Sequence, residues 1–147
     1  MKKYIDLLCT LLILAFIWGN SLRDAPHSSV ESQWVLDVLR SLFSYFPGID
    51  HLTMHIVRKM AHLTEYMALG FFLSCTCFHC KKAIYPGTIL LIGFLIASID
   101  ETLQLFSPGR SGQISDVLLD TFGVFCGLLL LYLLYVLEKW IDDKNKP

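Results

Sequence analysis

Four long apolar stretches, almost charge-free outside a polar layer at one end, constrain the fold of this chain more than any other feature. The stretches are 4–22, 57–78, 83–105 and 117–137. Each is about 20 residues long, the length an α-helix needs to cross the hydrocarbon core of a bilayer. Lipid offers the backbone no hydrogen-bond partners, so such runs must satisfy their own amides as helices. The expected fold class is therefore all-α: a polytopic membrane protein with a four-transmembrane-helix bundle. Of 147 residues, 54% are hydrophobic and only 17% charged, against about a quarter charged in soluble domains. A net charge of −1 leaves no electrostatic footprint for nucleic acid. No internal repeat is evident.

The first run opens Met1-Lys2-Lys3, as a secretory signal does. No small-residue cleavage site follows it, because Ile17-Trp18-Gly19-Asn20 is a poor substrate. An uncleaved first helix is expected. Lys2 and Lys3, Lys81 and Lys82, and Lys139, Lys144 and Lys146 all fall on one side of a four-span zigzag. By the positive-inside rule that side is cytoplasmic, with both termini inside the cell membrane. Residues 138–147 read as a polar, mobile cytoplasmic tail.

The loop between the first two runs carries a helical pattern over 29–46. Ser28 and Glu31 have capping-box spacing. Gln33, Asp37, Arg40 and Ser44 recur on one face; Trp34, Val35, Val38, Leu39, Leu42, Phe43 and Phe46 fill the other. Pro47-Gly48 ends the pattern. This is an amphipathic helix in the first extracytoplasmic loop, fit to rest on the membrane surface and bundle or to cover a site as a lid.

The polar residues of the apolar runs cluster at the ends facing that loop. They are Arg58, Lys59, His62, Glu65 and Tyr66 in the second run; Asp100, Glu101 and Gln104 in the third; Arg110 and Gln113 in the turn; Ser115, Asp116 and Asp120 in the fourth. Ionisable groups at membrane depth are costly and mark a functional site by default. Residues three or four apart share a helix face, so Arg58, His62 and Glu65 form one stripe, flanked by Lys59 and Tyr66. Asp100 and Gln104 share a face, while Glu101 points about 100° away and must meet a different neighbour. Pro108-Gly109 sets a tight turn that can fold Arg110 back over the acids. Arg110 there serves equally as a clasp for an aspartate or as a bidentate grip on a carboxylate or phosphate. Asp116, Asp120, Gly123 and Gly127 lie on one face, and the Gly123–Gly127 spacing is a small-xxx-small seam for close helix approach. The bland alternative is a snorkelling, salt-bridged helix end. Cys75, Cys77 and Cys80 with His79 match no standard zinc or haem spacing and read as small apolar filler.

Four blocks in order carry a resemblance: Arg58-Lys59-Met60-Ala61-His62-Leu63-Thr64-Glu65-Tyr66, Asp100-Glu101-Thr102-Leu103-Gln104, Pro108-Gly109-Arg110, and Asp116-Val117-Leu118-Leu119-Asp120 with Gly123. Together with Ser21, Ser28, Ser29 and Ser32 they resemble the VanZ-like family of bacterial membrane proteins. The resemblance singles out Lys59, His62, Glu65, Tyr66, Asp100, Glu101, Gln104, Arg110, Asp116 and Gly123. Position 120, often Asn in such proteins, is Asp120 here. The family's founding member is associated with resistance to the glycopeptide teicoplanin, which binds cell-wall precursors outside the membrane. The resemblance thus implies an envelope role, and it imports a phenotype rather than a mechanism.

Three readings of the polar layer follow. In the first it binds a membrane lipid or a lipid-linked precursor head group, with Arg58, Lys59 and Arg110 taking phosphate and the acids taking sugar or peptide groups. In the second the protein is a metal-dependent or acid–base membrane hydrolase, with His62, Glu65, Asp100 and Glu101 as catalytic residues, joined by Asp116 and Asp120 around a divalent metal. No Gly-x-Ser-x-Gly or His-Glu-x-x-His supports it. In the third the layer is a charge-zipped seam that fixes helix register. Binding is the expectation, without catalysis or a cofactor.

Overall fold

The computed structural model describes residues 1–81 and 83–145. Lys82 and Lys146, two of the lysines used above to set orientation, lie outside the described residues. The described chain is helical throughout, with no strand: α1 (Lys2–Ser21), α2 (Ala25–Leu42), a 3-10 turn (Ile49–His51), α3 (Met54–Lys81), α4 (Pro86–Gln104) and α5 (Ile114–Lys144). Three of these, α1, α4 and α5, are long and apolar enough to cross a membrane. The second run, 57–78, forms the long helix α3, whose charged first half sets it apart from the others in composition.

Alternation of direction organises the bundle. His79 Nδ1 meets Asp6 Oδ2 at 2.6 Å, Thr10 and Thr76 hydroxyls meet at 3.2 Å, and Asn20 reaches Glu65. Residue numbers fall on α3 as they rise on α1, so the two are antiparallel. On α5 they rise together with α3: Gly123 abuts Leu63 and Tyr66, and Gly127 abuts Met67 and Phe71. A Cβ on Gly123 would sit 2.8 Å from the Leu63 carbonyl oxygen. The small residues anticipated in α5 are thus where the α3 and α5 backbones come together, with Gly70 contributing from the α3 side. Around that crossing lie the buried Ile17, Tyr66, Leu69, Ile89, Ala97 and Val124. Large apolar side chains cover the outside, among them Leu8, Leu12, Phe16, Leu91, Leu95, Phe122, Leu129 and Leu133. Lipid, not water, solvates such a surface, and the chain is a membrane protein.

Two helices differ from the expectation by four residues or more at an end. Helix α2 starts at Ala25 rather than 29 and stops at Leu42 rather than 46. Ser28 is therefore one turn inside the helix, its amide bonded to the Asp24 carbonyl, and the Ser28–Glu31 capping box does not form. Pro26, pre-set for a first turn, starts the helix instead. Glu31 pairs with Arg23 at 2.5 Å. The second correction concerns the tail. Residues 138–144 continue α5, because Trp140 and Ile141 prolong its apolar pattern and Lys144 sits 4.0 Å over the Trp140 ring.

Candidate functional site

Antiparallel alternation brings the end of α1, the start of α3, the end of α4 and the start of α5 to the same end of the bundle. The 105–113 segment closes this end. Pro108 and Gly109 occupy the centre of a turn closed by the Arg110 amide on the Ser107 carbonyl at 3.2 Å. Gly109 takes φ +75°, a conformation a side chain would strain. The Ser107 hydroxyl donates to the Ser21 carbonyl at 2.9 Å, and the Ala25 amide donates to the Pro108 carbonyl at 3.1 Å. The turn is thereby pinned to both α1 and α2.

Most of the polar residues singled out in sequence converge here. Lys59 Nζ bonds Asp116 Oδ1 at 2.9 Å, tying α3 to α5. His62 Nδ1 faces Asp120 Oδ2 at 3.8 Å. Glu65 turns the other way and accepts from Asn20 Nδ2 of α1 at 3.2 Å. Asp100 accepts from Gln104 Nε2 at 3.3 Å and looks towards α3, whereas Glu101 accepts the Gln113 backbone amide at 2.7 Å. That divergence follows from their 100° offset on α4. Tyr66, Asp100 and Asp120 are wholly buried. Gln113 and Ser115 have exposed side chains and sit at the rim, Gln113 contributing its backbone rather than its amide.

Arg110 does not clasp an aspartate. Among the described residues its guanidinium makes no hydrogen bond or ion pair, and its Nε is buried without a partner. It lies instead beside Arg58. Burial first, and then the Arg58 guanidinium, push the Arg110 pKa below its usual value. Among the described residues Arg58 has a single weak contact, to Ser29 Oγ at 3.4 Å, and its Nε is likewise unpartnered. Asp100, Glu101 and Glu65 offset part of the repulsion between the two guanidiniums, and a further anion joining them would offset more.

Both arginines open onto two cavities. The larger, about 520 Å³, runs beneath α2 between α1 and α3. Its walls are apolar towards Phe16, Val35, Leu39 and Met60, and its inner end carries Arg58, Arg110, His62 and Glu65. The smaller, about 120 Å³, is polar and bounded by Lys59, Gln104, Asp116 and Asp120 together with the same arginines.

Sequence reasoning missed Asn20 as a member of the site. The signal was present: an amide in the last turn of an otherwise apolar run, at the same membrane edge as the other polar groups. Ser21 entered only through the resemblance; it is wholly buried beside the turn.

Fold and site together define a helical membrane protein with a polar cluster at one end of its bundle. A family model described as VanZ/LLP1 matches residues 6–135, a stretch that includes every site residue, and the chain belongs to this family. No curated protein and no solved structure gives a match.

Proposed function

We propose that this protein holds the anionic head group of a membrane lipid or a lipid-linked cell-wall precursor at the outer leaflet, and through that contact contributes to glycopeptide (teicoplanin) tolerance. The observation that carries the proposal is the Arg58–Arg110 pair lining a cavity that also has apolar walls at Phe16, Val35, Leu39 and Met60. Guanidinium forks suit phosphate oxygens, and apolar walls suit an acyl or prenyl chain. In this account α3 is the fourth crossing, its charges turned into the bundle and its ends at the two surfaces. Both termini are then cytoplasmic, since Lys2, Lys3, Lys81 and Lys139 fall at the end opposite the site. Exposed Trp34, Val30 and Leu42 on α2 face the interfacial zone, while Ser28, Ser32 and Leu36 pack inward.

Native mass spectrometry of purified protein released from micelles tests the reading. The probes are phosphatidylglycerol, a polyprenyl phosphate and zwitterionic phosphatidylcholine. Retention of the two anionic probes over phosphatidylcholine, reduced about tenfold in Arg58→Ala and in Arg110→Ala, is expected; such a change corresponds to about 1.4 kcal/mol. Equal retention of all three lipids by wild type, or no change in either variant, rejects it.

A further inference from the structure

We propose that His62, Asp100 and Asp120 form a binding site for a divalent transition-metal cation, of the Mn²⁺ or Zn²⁺ class, inside the polar end of the bundle. Each residue comes from a different helix, α3, α4 and α5, and each offers a ligand atom lying within 4.8 Å of the other two. Metal bonds of about 2.0–2.2 Å hold ligand atoms about 3.3–4.2 Å apart, so sub-ångström side-chain adjustments close the set around one ion. An imidazole with two carboxylates is a donor set suited to these cations.

The disposition of the carboxylates points to an ion rather than to a plain salt-bridged seam. Asp120 is wholly buried, and neither of its oxygens has a hydrogen-bond partner. Asp100 is equally buried; Gln104 holds its Oδ2 at 3.3 Å, the Ser21 hydroxyl lies beside the carboxylate, and Oδ1 makes no close hydrogen bond among the described residues. Gln104 and Ser21 are thus placed as outer residues that orient a ligating carboxylate. The local charge agrees. Glu65, Asp100, Glu101, Asp116 and Asp120 share this end of the bundle with Arg58, Lys59 and Arg110, an excess of two acids over bases, which one divalent cation balances. His62 and Asp120 also border the small polar cavity shared with the two arginines, so the remaining coordination positions are open to water or to an anion's oxygen.

The site stands apart from lipid binding, and its test uses lipid-free protein in detergent. Mn²⁺ binding is followed by electron paramagnetic resonance, and Zn²⁺ content by elemental analysis after dialysis. Wild type is expected to take up about one ion per chain. Affinity should fall at least tenfold in His62→Ala and in Asp120→Asn, and remain in His79→Ala at the opposite end. As a guard against poorly folded variants, Mn²⁺ or Zn²⁺ should raise the thermal midpoint of wild type, and a chelator should reverse the rise. No uptake and no thermal shift in wild type overturns the site, as does binding that survives Asp120→Asn or disappears only in His79→Ala. Loss of this site with intact Arg-dependent lipid retention would leave the lipid reading standing, and the converse holds equally.

Discussion

At the residue scale, the cluster is governed by the cost of leaving ionisable groups short of partners. Glu101 illustrates a carboxylate with a structural duty: it receives the Gln113 amide just ahead of α5. A hydrogen bond to a charged group contributes about 1.5–3 kcal/mol. Glu101→Ala should therefore lower the thermal midpoint in detergent, whereas Glu101→Gln, which keeps an acceptor, should lower it less; identical midpoints would remove that duty. Arg110 illustrates the opposite case, a cation with no protein anion at contact distance. Arg110→Ala is expected to lower head-group retention while changing the thermal midpoint little, since it removes the like-charge neighbour of Arg58 and the attraction of Asp100, Glu101 and Glu65 together. A marked loss of stability would instead mean that Arg110 fastens the turn. The types and spacing of these side chains were legible in sequence, because polar residues in apolar runs stand out. Their pairings were not. Whether Arg110 met an aspartate or Arg58 depended on how the Ser107–Arg110 turn docks on α1 and α2, a long-range fact with no local signature.

At the element scale, the α3–α5 contact decides whether the cluster assembles. Gly123 and Gly127 let the α5 backbone lie against α3 where any Cβ would collide with main-chain atoms. Gly127→Leu should sharply reduce the folded, monodisperse fraction in size-exclusion chromatography. Gly19→Ala, where a methyl group meets nothing within 4 Å, should be neutral or stabilising by up to about 1 kcal/mol through helix propensity. Similar behaviour of the two variants would contradict the close crossing. The seam was visible as a spacing, and its alignment with Asp116 and Asp120 gave its direction. The ends of α2 were harder to place. Ser28 and Glu31 fit a cap, but the chain had an earlier start available at Asp24 and Pro26, and the Arg23–Glu31 pair took the glutamate away. For α5, a polar composition after Leu137 suggested an end, yet Trp140 and Ile141 carry the helix past it.

At the scale of the whole molecule, alternation of helix direction is what makes a single site out of four distant segments. It sends Lys2, Lys3, Lys81 and Lys139 to one end and Arg58, Lys59, His62, Asp100, Arg110 and Asp120 to the other, so the two ends differ in chemistry. This much was inferable from the sequence, since four apolar runs joined by loops leave few arrangements open. The cavity beneath α2 was not, because it depends on how Val35 and Leu39 stand off from α3 and on the position of Arg58. In cells lacking the native copy, protein variants at matched membrane levels should separate the role of the site from that of the fold: wild type should raise the inhibitory concentration of teicoplanin, and Arg110→Ala should return it towards the empty-vector value. Equal susceptibility of all strains would contradict the proposed contribution to teicoplanin tolerance.

The most direct measurement places a photo-crosslinking amino acid at Val35, on the wall of the cavity, in protein within living cells, and identifies the adducts by mass. A phosphate-bearing lipid enriched over its share of the bulk membrane, and depleted when Arg58 and Arg110 are both changed to Ala, is the predicted result. Adducts that mirror bulk lipid composition, and that are indifferent to the two arginines, would contradict the account.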